Sequence, residues 1–307
     1  MTENEFDYIS WIQKQLKRSP DVLIGSGDDA AVVKTGKNKY IVVTTDTIVE
    51  DIDFKIAQAT PESIGYKSIA VSLSDIAAMG QGKPPLYALI TVAFPKRINT
   101  ISFRHRLFKG MHQLSRKYNV SIIGGDISST KGPLVITSTI FAHKYLPILT
   151  RAGAKAGDVI MVTGQLGGSL SGKHLSFSPR INESLYLNGR YKINSMIDIS
   201  DGLCADIGHI CSKSKVGARL LESLIPVTQS AIKISCKTGK SPIQQALYDG
   251  EDFELLFTAK PSETSCIIKN GKVKVYPIGF ITKEQGIWLH RTNGSLKYLK
   301  PAGYKHF

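Results

Sequence analysis

Cysteine is scarce in this 307-residue chain: Cys204, Cys211, Cys236 and Cys266 form no CxxC pair, and the seven histidines form no HxH or HExxH pair. A zinc site therefore gains no support from ligand spacing, and reduced cytoplasmic thiols are the expectation. Long hydrophobic runs are also missing. The longest, LYALITVAF from Leu86 to Phe94, is far shorter than the roughly 20 residues of a bilayer-spanning helix, so no membrane partner is expected. The opening MTENEFDYISW is acidic where a secretory leader is basic and then continuously apolar, which argues against export.

Acidic residues are outnumbered, 25 against 39 lysines and arginines, for a formal net charge of +14. That excess is compatible with nucleic acid, an anionic surface or small anionic substrates. The basic residues are spread along the chain and follow no RNP, zinc-finger or basic-helix pattern. Nucleic acid is accordingly not the expected partner. The charge reads better as the field around a phosphate site, with solvated surface lysines accounting for most of it.

Hydrophobic periodicity predicts a layered α/β protein. FDYISWIQKQL has helical spacing at Phe6, Ile9, Ile12 and Leu16, and AAVV and YIVVTTDTIV read as a pair of strands. PESIGYKSIAVSLSDIAAM, Pro61 to Met79, reads as a long helix with proline in its first turn and Gly80 just past its end. Then follow strand PLYALITVAF, helix ISFRHRLFKGMHQLSRKY, strand VSIIGGD and strand PLVITSTIFAH. PILTRAGAKAGD marks a boundary, after which VIMVTG, SMIDIS, FELLFTA and VYPIGFI are the strands of a second unit. The expected division is residues 1–147 and 148–307.

Carboxylates recur at or beside these apolar elements. Asp28 and Asp29 lie in the glycine turn GSGDDAAVV, Asp46 in the strand VVTTDT, and Asp75 inside the helix AVSLSDIAAMG. Asp126 follows the strand IIGGD, Asp198 and Asp201 frame DISDG, and Glu251 and Asp252 lie in DGEDFELLF. Taken singly, several have ordinary explanations: a turn for Asp28 and Asp29, a strand end for Asp126, a helix cap for Ser200 or Asp201. Asp75 has none, because Val71 and Met79 flank it on the helix and an unpartnered buried carboxylate costs about several kcal/mol. Few lysines or arginines lie in these motifs, so bound cations are the economical partners. Carboxylates with the hydroxyls of Thr44, Thr45 and Ser200, and no thiolate or imidazole cluster, suit Mg²⁺. Glycines at Gly25, Gly27, Gly124 and Gly125 allow backbone to approach phosphate. Phosphoryl transfer is the chemistry these features indicate.

GGSLSGK, Gly167 to Lys173, satisfies part of a phosphate-binding loop. His174 follows where a serine or threonine would hold Mg²⁺, and Pro179 interrupts the helix whose N-terminus should face the phosphates. A glycine-rich connection explains it more simply.

In order over nearly the whole chain, GSGDDAAVV, TTDTIVEDIDF, GYKSIAVSLSDIAAMG, IIGGDISST, RAGAKAGD, MIDISDGLCADIGHI and GEDFELLFT resemble the thiamine-monophosphate kinase family, within the wider aminoimidazole ribonucleotide synthetase-like superfamily. The resemblance implies a two-domain α/β fold whose N-terminal sheet forms a barrel across a homodimer, residues 1–147 binding ATP and Mg²⁺ and residues 148–307 forming the C-terminal α/β domain. It implies transfer of the γ-phosphoryl of ATP to thiamine monophosphate in the cytoplasm. Carried over by residue, Asp28 or Asp29, Thr44, Thr45, Asp46, Asp75, Asp126 and Asp198 match Mg²⁺ ligands, with Asp201 holding a further ion. Gly125, Asp126, Arg151 and Ser200 match nucleotide contacts, and Glu251 matches a residue beside the cationic thiazolium. No catalytic residue beyond the metal ligands is implied, because the attacking phosphate oxygen is already largely ionised, its second pKa being about 6.

Three features depart from the family. Asp53 stands where relatives place a substrate-contacting histidine, which leaves the acceptor open. Pro301 aligns with an aromatic residue near the C-terminus, a role that Tyr304 could partly take. Around Gly172 to His174 the chain lacks a helix that relatives carry. Two alternatives stay open: the same ATP site with another acceptor, and a basic nucleic-acid- or nucleotide-binding protein without activity.

Overall fold

The computed structural model describes residues 5–17 and 19–304. Helix α1 (Glu5–Gln15) leads into β1 (Val22–Ile24), β2 (Ala31–Gly36) and β3 (Lys39–Val49), followed by α2 (Pro61–Ala78), β4 (Leu86–Pro95), α3 (Ile101–Tyr118), β5 (Val120–Thr130) and β6 (Val135–His143). These six strands form an open sheet in the order β1-β2-β3-β6-β4-β5, antiparallel except for the β4–β5 pair. Closure into a barrel is not a property of the single chain, since β1 and β5 are its two edges. The side chain of Phe6, expected on the buried face of α1, lies outside the described residues, while Ile9 and Leu16 of that face are exposed.

The second half comprises β7 (Val159–Val162), α4 (Ile181–Arg190), β8 (Ile193–Asp198), α5 (Leu203–Ser214), β9 (Gly217–Leu221), α6 (Gln229–Thr238), α7 (Pro242–Tyr248), β10 (Leu255–Ala259), α8 (Pro261–Asn270), β11 (Tyr276–Thr282), β12 (Gly286–His290) and β13 (Leu296–Leu299). Its seven strands are ordered β13-β12-β9-β11-β7-β10-β8. Only β9 and β12 run parallel. Strand β10 lies between two others and is buried at every position; its one polar side chain, Thr258, is satisfied by the Ser195 hydroxyl at 2.8 Å.

Helix α2 packs against both halves. Thr60 caps it by accepting a hydrogen bond from the Ser63 N–H at 3.1 Å, and Pro61 occupies the first turn where its missing N–H is not needed. From Ile64 to Ala78 nearly all of it is buried, which explains its all-round apolar composition. Its serines tie it to both sheets: Ser72 Oγ lies 2.6 Å from Ser138 Oγ on β6, and Ser74 Oγ donates to Asp198 Oδ2 on β8 at 2.6 Å. One apolar cluster runs continuously from Val32 and Ile136 through Leu73 and Ile76 to Met196 and Phe257.

Two glycines let α3 lie directly on α2. A methyl group at Gly65 would overlap the Leu107 carbonyl, and one at Gly110 would overlap the Glu62 carbonyl, both rigid backbone. Gly110→Ala is therefore expected to destabilise the protein by about 1–3 kcal/mol through overpacking. Gly189→Ala, on the exposed side of α4 with only Leu146 methyls at 3.8 Å, should be neutral or stabilising by up to about 1 kcal/mol. Urea unfolding of both variants checks the contrast.

Candidate active site

Strand β3 alternates its side chains between two faces. Thr44 and Asp46 point toward α2, where Thr44 Oγ1 donates to Asp75 Oδ2 at 2.5 Å and Asp46 Oδ2 accepts from Ser72 Oγ at 2.8 Å. Thr45 and Thr47 point away and pair with Thr139 and Thr137 of β6, at 3.0 and 2.8 Å. Thr45 is thus on the opposite face from the other β3 residues assigned to metal.

Asp29, Asp75 and Asp198 converge from a turn, a helix and a strand end, each offering a carboxylate oxygen within 4.8 Å of the others. At that separation two ionised carboxylates repel by roughly 3.5 kcal/mol at an effective dielectric of about 20. Burial raises all three pKa values, against the pull of Arg151 at Asp29; at Asp75 and Asp198 the neighbouring carboxylates raise them further, with Asp198 pushed up to about 7. Asp46 is raised by burial and by Asp29 and Asp53. Asp28, beside Asp29, is raised to about 6 by burial and then by its neighbour's charge.

The compensation within the chain is small. Arg151 Nη2 donates to Asp29 Oδ1 at 2.7 Å, and the Arg151 backbone N–H donates to Asp28 Oδ1 at 3.1 Å. Asp29 Oδ2, by contrast, is buried without a hydrogen-bond partner among the described residues. A buried carboxylate oxygen with no donor calls for a proton or a cation. The oxygen-only donor set is that of a hard divalent cation, so the residues present fit Mg²⁺.

A cavity of about 230 Å³ is lined by Asp46, Asp53, Asp201, Asp249 and Glu251, together with Ser200, Tyr304, Leu170 and Phe253. None of its described lining residues is lysine or arginine. Pro301 does not line it and packs on Gly208 of α5, so of the two C-terminal candidates it is Tyr304 that reaches the cavity.

Other assigned residues are placed differently from the expectation. Asp126 lies within β5, which runs on to Thr130, and is exposed, in register with Thr91 on β4. The register from Asp126 through Thr91 and Thr137 to Thr47 spans three strand spacings, about 14 Å, so the single chain does not bring Asp126 to Asp75. Gly125, at φ 152, is required there because any side chain would overlap the Ile90 carbonyl. With Asp126 it borders a separate groove of about 780 Å³ beside Phe108 and Ile123. The four residues assigned to nucleotide thus fall into two places, Arg151 and Ser200 by the carboxylates and Gly125 and Asp126 on β5. Neither Ser200 nor Asp201 caps α5: its N-cap is Gly202, and Asp206 Oδ2 accepts the Gly202 N–H at 3.1 Å.

The sequence reading missed several groups. Asp206 and His209, three apart on α5, gather with Asp201 so that their ligand atoms lie within 4.8 Å; burial, then Arg151 and Lys213, lowers the His209 pKa to about 4. Lys67 of α2 is fully buried and donates to both Glu251 carboxylate oxygens at 2.7 Å. It lies inside GYKSIAVSLSDIAAMG, so the acidic motifs carry a cation of their own. The reasoning that singled out Asp75, a charge in an all-apolar helix, applies equally to Lys67. In GGSLSGK, Ser169–Ser171 form a short 3-10 turn and Lys173 Nζ donates to Glu254 Oε1 at 2.9 Å. Arg180 holds the same carboxylate, so Lys173 serves a structural ion pair.

Comparisons with known proteins agree with this architecture. The AIR synthase related protein N-terminal domain matches residues 27–143. A thiamine-monophosphate kinase of Rhodopirellula baltica is 34% identical over 98% of this chain and 97% of its own length. One from Buchnera aphidicola subsp. Schizaphis graminum is 36% identical over all of both chains. The solved structure "AaThiL complexed with AMPPCP and TMP" superposes with a TM-score of 0.85 at 30% identity, covering 99% of this chain and 97% of that one. With full-length relatives above 30% identity and the same two-sheet fold, the chain belongs to the thiamine-monophosphate kinase family.

Proposed function

We propose that the protein is an ATP- and Mg²⁺-dependent kinase that transfers the γ-phosphoryl of ATP to thiamine monophosphate, giving thiamine diphosphate. The observation that carries this reading is the cavity lined by five carboxylates, of which Glu251 and Asp249 pair with Lys67 and Lys240, neither of them in the lining, and which shares Asp46 with the group around Asp75. Such a wall attracts a cationic ring and metal ions and repels a bare anion. Family membership supplies the identity of the acceptor, and the relative solved with AMPPCP and TMP supports ATP as the donor.

In this reading Asp28, Asp29, Thr44, Asp46, Asp75 and Asp198 hold Mg²⁺, and Asp201 holds a further ion. Bound Mg²⁺ screens the repulsion between two polyanions and takes up charge on the leaving diphosphate. The chain's own residues do the positioning. Ser72, Ser74 and Thr44 fix three carboxylates by hydroxyl hydrogen bonds. Arg151 orients Asp29 and, from its place beside the carboxylates, is the nucleotide contact of this half of the site, with Ser200. Asp53, Glu251 and Tyr304 shape the acceptor wall. No protein base is needed, because the attacking phosphate oxygen is ionised near neutrality.

We further assign residues 1–147 to ATP, metal and dimer contacts and residues 148–307 to the C-terminal domain. The homodimer closes a barrel through β5, whose long edge exposes Ile123 and Ile127, the latter 75% accessible. An apolar sheet edge of this length needs cover. The partner would then lie over Gly125, Asp126 and Thr45. The four cysteines are free thiols, and the compartment assigned in this reading is the reducing cytoplasm.

Purified protein with ATP and Mg²⁺ should form thiamine diphosphate, and a panel of other phosphorylated acceptors should react more slowly. Asp46→Asn and Asp75→Asn should each lower kcat by at least about 100-fold with the fold intact; full activity in both would remove the metal assignment. The pKa of Asp198 is raised from 3.8 to about 7 on folding, so its stabilising contribution is present below about pH 4 and lost as pH rises through about 7. Without metal, the Tm of wild type relative to Asp198→Asn should therefore fall between pH 5 and pH 8. Added Mg²⁺ should raise the wild-type Tm at pH 8 and leave that of Asp75→Asn nearly unchanged. Sedimentation should find a dimer for wild type and a monomer for Ile127→Lys.

A further inference from the structure

Lys67, near the end of the second turn of α2, has no solvent exposure. Its ammonium uses three acceptors: both oxygens of Glu251 at 2.7 Å and the backbone carbonyl of Asp53 at 2.6 Å. Both acceptor residues line the 230 Å³ cavity, whereas Lys67 does not. They come from opposite halves of the chain, 14 and 184 residues away from it.

Each wall is a tightly specified loop. Around Asp53, the Val49 N–H donates to Asp53 Oδ2 at 2.7 Å and the Asp51 N–H donates to the Phe54 carbonyl at 2.8 Å, with Asp51 at φ 66. Around Glu251, which itself has φ 55, the backbone N–H donates to the Ser200 carbonyl at 2.7 Å and the carbonyl accepts from Ser169 Oγ at 2.5 Å. What joins one loop to the other is the Lys67 ammonium. An ammonium sealed from water has no hydration to fall back on and must retain its carboxylate. A carboxylate with both oxygens on that ammonium is fixed in place and largely neutralised.

We propose that Lys67 is a positioning residue for the acceptor: it clamps Glu251 against the Asp53 turn, fixes the spacing of the two cavity walls, and acts on the acceptor through Glu251 without touching it. The proposal rests on the acceptor reading given above. Asp75 is eight residues further along the helix, about 12 Å away along its axis, so the Asp29, Asp75 and Arg151 end of the site should feel the clamp far less than the acceptor wall.

The test is a double-mutant cycle of wild type, Lys67→Met, Glu251→Gln and the double variant, with KM measured for thiamine monophosphate at saturating ATP and Mg²⁺, and for ATP at saturating acceptor. The double variant replaces a buried ion pair by neutral groups and keeps the test alive if Lys67→Met alone misfolds. Expected is a rise of at least about tenfold in acceptor KM for each folded variant, with ATP KM changed less than about threefold. The double should be no worse than the more affected single variant, since the two residues act as one unit. Unchanged acceptor KM in a folded variant, equal rises in both KM values, or additive effects would overturn the clamp. Failure of both Lys67 variants to fold would also overturn it, leaving a purely structural role. A wild type inactive on thiamine monophosphate would overturn the acceptor reading and this proposal together; an active wild type without the expected pattern overturns the clamp alone.

Discussion

Repulsion among Asp29, Asp75 and Asp198 is the constraint around which this protein is organised. Their oxygens lie within 4.8 Å of each other, and the chain offers Arg151 and a few hydroxyls in compensation. The formal charge of +14 does not remedy this. Surface lysines act through solvent in which charge is screened over about 8 Å, so they shape the field that a polyphosphate meets on approach but leave the local deficit in place. The site is therefore built to draw protons or divalent cations from solution, and the orphaned Asp29 Oδ2 is the plainest sign of it.

Helix α2 transmits that arrangement to the rest of the fold. Along one buried helix, Lys67 holds Glu251, Ser72 holds Asp46, Ser74 holds Asp198, and Asp75 itself faces Thr44. The partners belong to β3, to the end of β8 and to the loop before β10. One rigid element thus sets the relative positions of groups remote in sequence, which is what a site needs if it is to be preorganised before substrate arrives. The Gly65 and Gly110 crossing holds α3 against the other side of α2. A crowding change there would be felt at the carboxylates through the helix, with no contact to them.

The two sheet faces have different work. The α2 face of the first sheet carries Thr44 and Asp46 and borders the cavity, while the other face carries the threonine pairs Thr45–Thr139 and Thr47–Thr137. Asp126 stands on the β5 edge with exposed isoleucines nearby. Residues that the family resemblance groups around one set of metals are therefore divided, in a single chain, between an interior group and an edge. A strand's alternation of side chains makes this division unavoidable for Thr44 and Thr45.

Much of the fold was legible in the sequence because its signals are local. β-Branching marked β3, Pro61 and Gly80 bounded α2, and Asp75 stood out as a charge that an apolar helix could not carry alone. The ordered acidic motifs led to the family. What lay beyond reach was decided by contacts between distant residues. Lys67 meets Glu251 across 184 positions, Asp206 rather than Ser200 or Asp201 serves the start of α5, and the sheet register carries Asp126 away from Asp75. The chain alone determined which charges had to be buried, since that follows from their apolar neighbours; tertiary structure decided which charge faces which, because electrostatic pairing depends on distance in space and sequence spacing does not encode it.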